Sequence, residues 1–465
     1  MMANCPVIVV GGGSSGVGKT SIALGLIHAY TKRGIKTRAF KVGPDFLDPT
    51  YLKISSGNTC YNLDTWMMGP DYVVESFKKH TEGFDLAIIE GVMGLFDGTS
   101  PDSSKGSTAE VASLLNAPTV LIVNAKGMGR TIAAMVKGFC DLEKNTLIAG
   151  VVANQAGSEK HAQILSQALS SCSLPPLIGS IPKESLPKLP SRHLGLVSAN
   201  KKLLSDVVLD QLSEAMEKYI DLDGLFDLAK SANAPLPSSS NKYFGETSHK
   251  PKVRLGLAWD DAFHFVYNDN LTALQDAGVE LATFSPINDK VLPANIDGLY
   301  ICGGYPEVYA GELSENHAMK EQIASFVQSG APVYAECGGL IYLSKGVETL
   351  DANRHELVGL LPTWTKMTER FRALGYYEAT TTDKTIFGDA GTKFRGHKFH
   401  YSTTLDSPSG KSGWRSIYSL NRARTGKVEK EGYCYKNTVA SYVHAHLASK
   451  PSVITNFTNT LCGRN

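Results

Sequence analysis

The eight residues 13–20, GSSGVGKT, constrain the fold of this chain more than any other segment. They match the pattern GxxxxGK[ST], follow an apolar run at residues 7–10, and precede a helical pattern that includes Ile22, Leu26 and Tyr30. A strand, a glycine-rich loop and a helix in that order form the phosphate-binding loop of a P-loop NTPase. The sequence therefore predicts that the chain begins with a parallel α/β domain that binds a nucleotide.

Each residue type in this loop has a chemical task. Gly13, Gly16 and Gly18 allow backbone N–H groups to curl around phosphate oxygens, and the start of the following helix adds the positive end of its dipole. Lys19 can reach the terminal phosphates of the nucleotide, and the hydroxyl of Thr20 can bind Mg²⁺. We therefore expect these five residues to form a nucleotide site that includes a magnesium ion.

Three acidic residues that follow predicted strands are candidates for the metal and the substrate. Asp45 follows the second strand in KVGPD, and Glu90 ends the third strand in IIEG. Ligands bind at the carboxyl edge of an open parallel sheet, so both carboxylates can reach the cation directly or through water. Asp97, in GLFDG, follows on the same loop as Glu90, with a turn carboxylate as its alternative role. Position 14 is a serine, where ATPases that switch on membranes or DNA carry a second lysine, so a catalytic P-loop protein is favoured.

The alternation of short β-branched runs with helical patterns indicates βαβ units on a parallel sheet. The strands predicted in the first half are residues 7–10, 37–42, 85–90, 119–124 and 148–154. A second α/β pattern begins at residue 253, and its main elements are a helix near 268–278 and strands near 296–302 and 331–336.

The segment at residues 231–250 separates these two patterns. It contains two prolines, three consecutive serines and few large apolar residues, which is typical of a solvated linker. The length of 465 residues also exceeds what a single core usually supports. We therefore predict two doubly wound α/β domains, residues 1–230 and 251–465, joined by a linker.

The composition excludes several classes of partner. Lys and Arg number 46 and Asp and Glu 45, so a net charge of +1 leaves no surplus of cations for nucleic acid or an anionic membrane. The eight cysteines include no CxxC pair, which fits neither a zinc site nor a disulfide framework. The first apolar run is too short for a signal sequence or a membrane span. We expect a cytoplasmic chain that binds neither nucleic acid nor membrane. Its assembly is not decided by the composition, and a homodimer is one alternative.

A second candidate site surrounds Cys337. The strand predicted at residues 331–336 leads into AECGG, a small-x-nucleophile-x-Gly elbow that a helical pattern follows. We expect the start of that helix to lower the pKa of the Cys337 thiol, and the N–H of Gly338 to stabilise an oxyanion. A thiolate needs a base, and the segment SYVHAHLAS offers His444 and His446. Taken alone, a cysteine such as Cys337 is more often an inert buried residue.

A glycine turn, CGGYPE at residues 302–307, follows another predicted strand. The N–H groups of Gly303 and Gly304 can supply further oxyanion donors. The pair His397 and His400, in FRGHKFHYS, suggests a metal site. Residues three apart on a strand face opposite sides, however, so we do not expect the two histidines to share one ion.

Six segments occur in the order found in one family of tetrapyrrole amidotransferases. They are FKVGPDFLDP at 40–49, NLDTWMM at 62–68, IEGVMGLFDG at 89–98, ICGGYPEVY at 301–309, AECGGLIYL at 335–343 and SYVHAHLAS at 441–449. Together they resemble the cobyrinic acid a,c-diamide synthase family. The resemblance implies an N-terminal domain similar to dethiobiotin synthetase and a C-terminal domain similar to class I glutamine amidotransferases, which have a flavodoxin-like fold.

The resemblance also implies a ligase of cobalamin biosynthesis that uses ATP, Mg²⁺ and L-glutamine and acts on a tetrapyrrole polycarboxylate. Cys337, with His444 as its base, would release ammonia from glutamine through a thioester. ATP would phosphorylate a substrate carboxylate, and ammonia would then displace the phosphate. Most class I amidotransferases carry His-x-Glu where this chain carries His444-Ala445-His446. The group that orients His444 is therefore open, with His446 as a candidate.

Further substrate contacts are assigned by resemblance or by charge. Asp45, Leu47 and Asp97 match positions that in the family are associated with the carboxylate substrate and with the order of the two amidations. Cations that could contact a polyanionic substrate are Lys41, Arg192 and His193. Each of these three is explained equally well as a solvated surface residue.

Cobyrinate is the expected substrate, with Ni-sirohydrochlorin of methanogens and hydrogenobyrinate as alternatives. Hydrogenobyrinate is disfavoured because that branch usually has a modified NLDTWMM segment. Two rivals come from other classes: a regulatory P-loop ATPase with a non-catalytic amidotransferase domain, and a dethiobiotin-type ligase that uses free ammonia. The presence of Cys337 opposes the first rival, and the long C-terminal half opposes the second.

Overall fold

The computed structural model describes residues 5–189, 204–231, 243–244 and 253–463. The chain divides into two compact units, Met1–Ser240 and Asn241–Asn465. That border falls within residues 231–250, most of which lie outside the described residues, as do Arg192 and His193. No helix in the described ranges is long and apolar enough to cross a membrane.

The first unit is built on one parallel sheet of seven strands. The strands are β1 (Val7–Gly12), β2 (Thr37–Val42), β3 (Tyr61–Leu63), β4 (Leu86–Glu90), β5 (Thr119–Asn124), β6 (Ile148–Ala156) and β7 (Leu177–Pro182). Their order in the sheet is β3-β2-β4-β1-β5-β6-β7, and every neighbouring pair is parallel. All five strands predicted for this half are confirmed, and β3 and β7 join them.

The helices of this unit cover both faces of its sheet. Those within the described residues are α1 (Lys19–Lys32), α2 (Asp48–Ser56), α3 (Thr65–Met68), α4 (Pro70–Thr81), α5 (Thr108–Leu114), α6 (Thr131–Leu142), α7 (Glu159–Ser170), α8 (Asp206–Tyr219) and α9 (Leu222–Ser231). Along β5, Val120 and Ile122 belong to one apolar cluster, whereas Leu121 and Val123 belong to another. Because successive strand residues face opposite sides, burial on both sides explains the continuous apolar runs in the sequence.

The phosphate-binding loop connects β1 to α1. Helix α1 begins at Lys19, and Gly18 before it has a φ of 100°, a left-handed value that favours glycine. A Cβ at Gly18 would lie 2.4 Å from the side-chain nitrogen of Asn154. The loop therefore has no room for a side chain at this position, and its backbone is free to face a ligand.

The second unit contains a ten-stranded sheet and two smaller sheets. Its strands are β8 (Val253–Ala258), β9 (Phe263–Phe265), β10 (Val279–Phe284), β11 (Gly298–Ile301), β12 (Gly303–Gly304), β13 (Val333–Glu336), β14 (Ser344–Glu348), β15 (Arg354–Glu356), β16 (Leu361–Met367), β17 (Ala373–Thr381), β18 (Lys393–His400), β19 (Ser402–Thr404), β20 (Arg415–Arg422), β21 (Val428–Tyr435), β22 (Thr438–Ser441) and β23 (His444–Ala445). The large sheet has the order β10-β8-β11-β13-β22-β21-β20-β17-β18-β23.

Only half of this large sheet is parallel. Strands β10, β8, β11, β13 and β22 are parallel neighbours, whereas β21, β20, β17, β18 and β23 continue the sheet in antiparallel pairs. The α/β class is confirmed, and β11 and β13 lie where strands were predicted. The antiparallel extension was not predicted, because strands such as β17 alternate between buried and partly exposed residues and give no continuous apolar run.

The helices of the second unit, within the described residues, are α10 (Asn268–Asp276), α11 (Ala310–Glu315), α12 (His317–Gln328), α13 (Gly338–Leu343) and α14 (Pro451–Leu461). Helix α10 confirms the helix predicted near residues 268–278. One apolar cluster runs from Val253 in β8 through Leu299 and Val333 to Phe457 in α14. This core includes Cys337, so the candidate nucleophile lies against the centre of the unit.

Candidate active sites

Lys19, the lysine of the phosphate-binding loop, folds back onto backbone oxygens. Its Nζ donates hydrogen bonds to the carbonyl of Met93 at 2.5 Å and to that of Ser14 at 3.1 Å. The residue is 8% exposed. Burial, with the nearby Lys41 charge, lowers the pKa of Lys19 to about 8. The two carbonyls thus accept the hydrogen bonds that Lys19 would donate to phosphate oxygens in a nucleotide complex.

The structure brings Thr20 and Glu90 together at the carboxyl edge of the sheet. Thr20 Oγ1 donates a hydrogen bond to Glu90 Oε1 at 2.6 Å. Glu90 is 1% exposed, and its Oε2 accepts no hydrogen bond from the described residues. A buried carboxylate oxygen without a hydrogen bond lowers the stability of the fold unless a cation or another hydrogen-bond donor contacts it.

Thr20 and Glu90 fit the requirements of a magnesium ion bound with a nucleotide. Mg²⁺ prefers oxygen ligands and usually keeps phosphate oxygens and water in its coordination sphere, so one or two protein oxygens are sufficient. Among the described residues, no group of three or more His, Cys, Asp or Glu side chains could hold a metal ion. An ion at this site would therefore share its coordination with the nucleotide.

Lys41 is buried beside the same carboxylate. Its Nζ lies 3.0 Å from Glu90 Oε1 and 2.8 Å from an oxygen of Asp48, and it donates to the carbonyl of Gly91 at 2.9 Å. Only 3% of the Lys41 side chain is exposed. The interpretation of Lys41 as a solvated surface residue is therefore wrong, because its charge is paired inside the unit. Removing Lys41 would leave the buried carboxylates of Asp48 and Glu90 without their shared cation.

Asp45 and Asp97 both use one carboxylate oxygen to hold a turn. Asp45 Oδ1 accepts hydrogen bonds from the N–H groups of Leu47 and Asp48, at 2.8 and 2.9 Å, where α2 begins. Asp97 Oδ2 accepts from the N–H of Gly94 at 2.8 Å. Leu47 is 7% exposed, so little of its side chain faces solvent. The turn role considered for Asp97 is therefore present, and Asp45 has one as well.

Cys337 forms a sharp elbow between β13 and α13. Its φ of 45° and ψ of −93° lie in a region that residues other than glycine rarely adopt. The N–H of Cys337 donates to the carbonyl of Ser441 at 2.7 Å, which links the elbow to the end of β22. Its Sγ lies 3.9 Å from the carbonyl oxygen of Phe399. Strained geometry of this kind is typical of a nucleophile elbow.

The expectation that α13 lowers the pKa of the Cys337 thiol is wrong in direction. Burial, followed by the charges of Glu307 and Glu336, raises this pKa well above its ordinary value. The hydrogen bond from the N–H of Gly338 does lower it, but this effect is smaller than burial. Cys337 is 6% exposed and α13 has only six residues, so desolvation dominates the dipole of a short helix. The resting thiol is therefore protonated.

His444 reaches the elbow from β23. A Cβ on Gly303 would lie 2.2 Å from His444 Cε1, so the imidazole packs directly against the glycine turn. The residue is 1% exposed. Burial, with the charges of His397 and His400, lowers the pKa of His444 to about 3. Its Nδ1 faces Glu336 Oε2 at 3.9 Å. The resting imidazole is therefore neutral and able to accept a proton.

The proposed oxyanion donors lie side by side. A Cβ on Gly338 would lie 2.9 Å from the backbone nitrogen of Gly304, so the elbow and the glycine turn are in contact. The turn is held by β12, which pairs antiparallel with β9. Gly303, Gly304, Gly338, Cys337 and His444 thus meet in one place.

His446, the candidate support for the base, contacts a different set of groups. Its Nδ1 accepts a hydrogen bond from the N–H of Ser449 at 3.3 Å, and its ring lies 5.5 Å from that of Tyr267. Burial lowers the pKa of His446 to about 3. These contacts hold the chain that follows the base.

His397 and His400 lie in β18 near the elbow. His397 is the cross-strand partner of His444. The Nδ1 of His400 lies 2.8 Å from the carbonyl of Ser402, and its ring stacks on that of Tyr442 at 4.0 Å between centroids. Burial lowers the pKa of His400 to about 3. These two histidines therefore serve packing and hydrogen bonding around the site.

Sequence reasoning did not single out Glu336 or Asp48. Glu336 ends the buried strand β13, where the residues before it, Val333 to Ala335, are apolar or aromatic. Asp48 begins α2 inside the segment FKVGPDFLDP and pairs with Lys41. The sequence signal that could have identified them is a single charged residue at the edge of an apolar run. Such a charge needs a partner when the run is buried.

Comparisons with known proteins match both halves of the chain. Residues 8–197 match the CobQ/CobB/MinD/ParA nucleotide binding domain, and residues 254–452 match the CobB/CobQ-like glutamine amidotransferase domain. A cobyrinate a,c-diamide synthase of Syntrophotalea carbinolica is 46% identical, over 99% of this chain and 100% of that relative. Proteins of the same name from Leptospira interrogans and Methanothermobacter thermautotrophicus are 41% and 38% identical, over 98% and 97% of this chain and 98% of each relative.

Proposed function

The chain belongs to the cobyrinate a,c-diamide synthase family, and from that premise we propose how its residues perform the reaction. The reaction is the ATP-dependent amidation of the a and c acetate carboxylates of cobyrinate, with glutamine as the nitrogen donor. The observation that carries the proposal is the full-length identity of 46%, supported by a set of candidate reactive groups in each unit.

The second unit releases ammonia from glutamine. Cys337 Sγ attacks the side-chain amide carbon of glutamine, and His444 takes the thiol proton as the bond forms. The tetrahedral intermediate collapses when His444 gives that proton to the departing nitrogen, which leaves as ammonia. Water then hydrolyses the thioester to glutamate and restores the thiol.

The pKa shifts of this pair support a neutral resting state. Burial raises the pKa of the Cys337 thiol and lowers that of His444 to about 3. Proton transfer therefore accompanies attack on the substrate, which protects the thiol from other electrophiles between turnovers. In this proposal the N–H groups of Gly304 and Gly338, which are neighbours at the elbow, stabilise the negative charge that develops on the amide oxygen.

The first unit activates the acid. The γ-phosphoryl group of ATP passes to a substrate carboxylate, and ammonia displaces phosphate from the acyl phosphate to leave the amide. Lys19 exchanges its contacts with Ser14 and Met93 for phosphate oxygens and stabilises their charge. Thr20 and Glu90 would hold Mg²⁺, which supplies charge neutralisation at the phosphates when it is bound.

The substrate carboxylate lies, in this proposal, near Asp45, Leu47 and Asp97. Asp45 and Leu47 lie at the start of α2, and Asp97 lies on the loop that follows β4. Lys41 joins Glu90 to Asp48, and so ties the candidate metal ligand to the first turn of α2. A net charge near zero supports a small anionic substrate rather than nucleic acid.

A panel of substrates tests the proposal. The purified chain is incubated with ATP, Mg²⁺ and glutamine and, in separate reactions, with cobyrinate, hydrogenobyrinate or Ni-sirohydrochlorin. Mass spectrometry is expected to detect two amidations of cobyrinate, and size-exclusion chromatography with light scattering reports whether the enzyme is a homodimer. Faster diamidation of either other tetrapyrrole would reassign the substrate, and glutamine hydrolysis without amidation of any of them would contradict the proposed function.

A further inference from the structure

The base of the glutaminase site needs a group that orients it. In most class I amidotransferases that group is a carboxylate two residues after the histidine, and here the position is His446. We propose that Glu336, the residue before the nucleophile, is the positioning residue for His444. This inference rests on the proposed glutamine hydrolysis at Cys337.

The two carboxylate oxygens of Glu336 face two parts of the segment that carries the base. Oε1 accepts a hydrogen bond from the N–H of Ala445 at 3.0 Å, and Oε2 lies 3.9 Å from His444 Nδ1. One oxygen therefore fixes the backbone of the base, while the other faces Nδ1 of its ring. The carboxylate of a Ser-His-Asp triad lies on the same Nδ1 side of its histidine, there at hydrogen-bond distance.

Two tyrosines hold the carboxylate in this orientation. The hydroxyl of Tyr300 in β11 donates to Oε2 at 2.8 Å, and that of Tyr334 in β13 donates to Oε1 at 2.5 Å. Glu336 is 1% exposed, and both tyrosines are equally buried. The carboxylate thus has a fixed geometry, which a positioning group requires and a solvated surface acid lacks.

The charge of Glu336 also matters for the reaction. When His444 takes the thiol proton it becomes an imidazolium, which burial disfavours and which the electrostatic effect of His397 and His400 also disfavours. Glu336 is the carboxylate that faces its Nδ1. Burial raises the pKa of Glu336 to about 7. The hydrogen bonds from Tyr334, Tyr300 and Ala445 lower this pKa, but their effect is smaller than that of burial. Its anionic form is therefore available from neutral pH upwards.

The test replaces Glu336 by glutamine, which keeps the shape and the acceptor for Ala445 but removes the charge. Glutaminase kcat is expected to fall at least about 100-fold with little change in KM, as for the acid of other triads. Amidation with ammonium salts should be unchanged. Glu431→Gln is the matched control, because Glu431 is also buried and holds the same segment through Ser441 Oγ and Tyr442 N–H, both at 2.8 Å.

The pH dependence of Cys337 alkylation by iodoacetamide separates positioning from a simple charge effect. Tyr300, Tyr334 and His444 face Glu336 directly, and Cys302 and Tyr418 lie within its field. If Glu336 acts through His444, the Gln variant is alkylated only at higher pH, since the imidazolium that forms when the thiol loses its proton has lost its support. If Glu336 acts on the thiol alone, the midpoint moves to lower pH, because a like charge has been removed.

A higher midpoint in Glu336→Gln, together with a Glu431→Gln midpoint that does not rise, supports the proposal. An unchanged or lower midpoint in Glu336→Gln overturns it. If the Gln variant does not fold, Glu336→Asp keeps the charge but withdraws the carboxylate by one methylene, and an unaltered glutaminase kcat in that variant also overturns it. Absence of glutaminase activity in the wild-type enzyme would instead contradict the proposed function.

Discussion

Thr20 Oγ1 and Glu90 Oε1 lie 2.6 Å apart, although 70 residues separate them in the chain. Thr20 ends the phosphate-binding loop and Glu90 ends β4, and parallel pairing of β1 with β4 brings the two positions to the same edge of the sheet. The sequence proposed both residues as metal ligands, and the fold brings them into contact as the candidate metal site.

Glu90→Gln is therefore expected to impair ATP-dependent amidation with either nitrogen source, because an amide oxygen is a weaker Mg²⁺ ligand than a carboxylate. At low magnesium the rate should fall at least about 100-fold, and added magnesium should restore part of it. Steady-state rates measured across a magnesium titration test this. Glu82→Gln, an exposed residue after α4, is the control. An unaltered magnesium dependence would remove Glu90 from the metal site.

Lys19→Ala should abolish amidation with glutamine and with ammonium, because activation of the carboxylate by ATP precedes attack whatever supplies the nitrogen. Loss of a charge that stabilises the transferring phosphoryl group is expected to cost on the order of 10³-fold in rate or more. Lys32→Ala, in the same helix but half exposed, is the matched control. Near-normal turnover of Lys19→Ala with ammonium would show that ATP acts elsewhere.

Cys337→Ala should abolish glutamine-dependent amidation and leave ammonium-dependent amidation largely intact, because the thiol serves only to liberate ammonia. The comparison uses product formation with each nitrogen source at equal tetrapyrrole and ATP concentrations. Cys434→Ala, another buried cysteine of the same unit, should behave as the wild type in both assays. Equal loss with both nitrogen sources in Cys337→Ala would contradict separate sites for ammonia release and amidation.

The sequence predicted five of the seven strands of the first sheet, several parallel strands of the second and the residues of both loops, because contiguous apolar runs and short motifs are local signals. It did not predict the pairing of Lys41 with Asp48 and Glu90, or the approach of Glu336 to His444. Those contacts join residues distant in the chain and depend on sheet register, which no short pattern encodes. The sign of the Cys337 pKa shift was also missed, since burial is a property of the folded unit.

Acidification is expected to destabilise the second unit. Burial holds the pKa values of His400, His444 and His446 at about 3, whereas exposed histidines in the unfolded chain titrate near 6.5. The unfolded state thus binds more protons below pH 6.5, and the free energy of unfolding falls as the pH is lowered towards 3. Burial also lowers the pKa of His264 to about 4, which acts in the same direction. Glu307 and Glu336, whose pKa values burial raises to about 7, and Asp260, whose pKa burial also raises, act oppositely but are outnumbered by the four histidines. The urea midpoint of unfolding should be lower at pH 5.5 than at pH 7.5. Equal midpoints at the two pH values would contradict the burial of neutral histidines.

The final prediction concerns which histidine is the base. His444 packs against Gly303 and faces Glu336, whereas the contacts of His446 with Ser449 and Tyr267 hold the following chain. Removing a base should cost more than removing a residue that supports it. We therefore expect His444→Ala to reduce glutaminase activity at least about tenfold more than His446→Ala, a difference of roughly 1.4 kcal/mol in barrier.

Both histidine variants should retain ammonium-dependent amidation, which separates loss of the base from loss of the fold. His317→Ala, an exposed position at the start of α12, serves as the control for histidine removal. Iodoacetamide alkylation provides the second measurement, because the reactivity of Cys337 should depend on the residue that accepts its proton. If His446→Ala were the more damaging change, or if alkylation responded to His446 alone, the base would be His446, and Gly303 would pack against a histidine that only fills space.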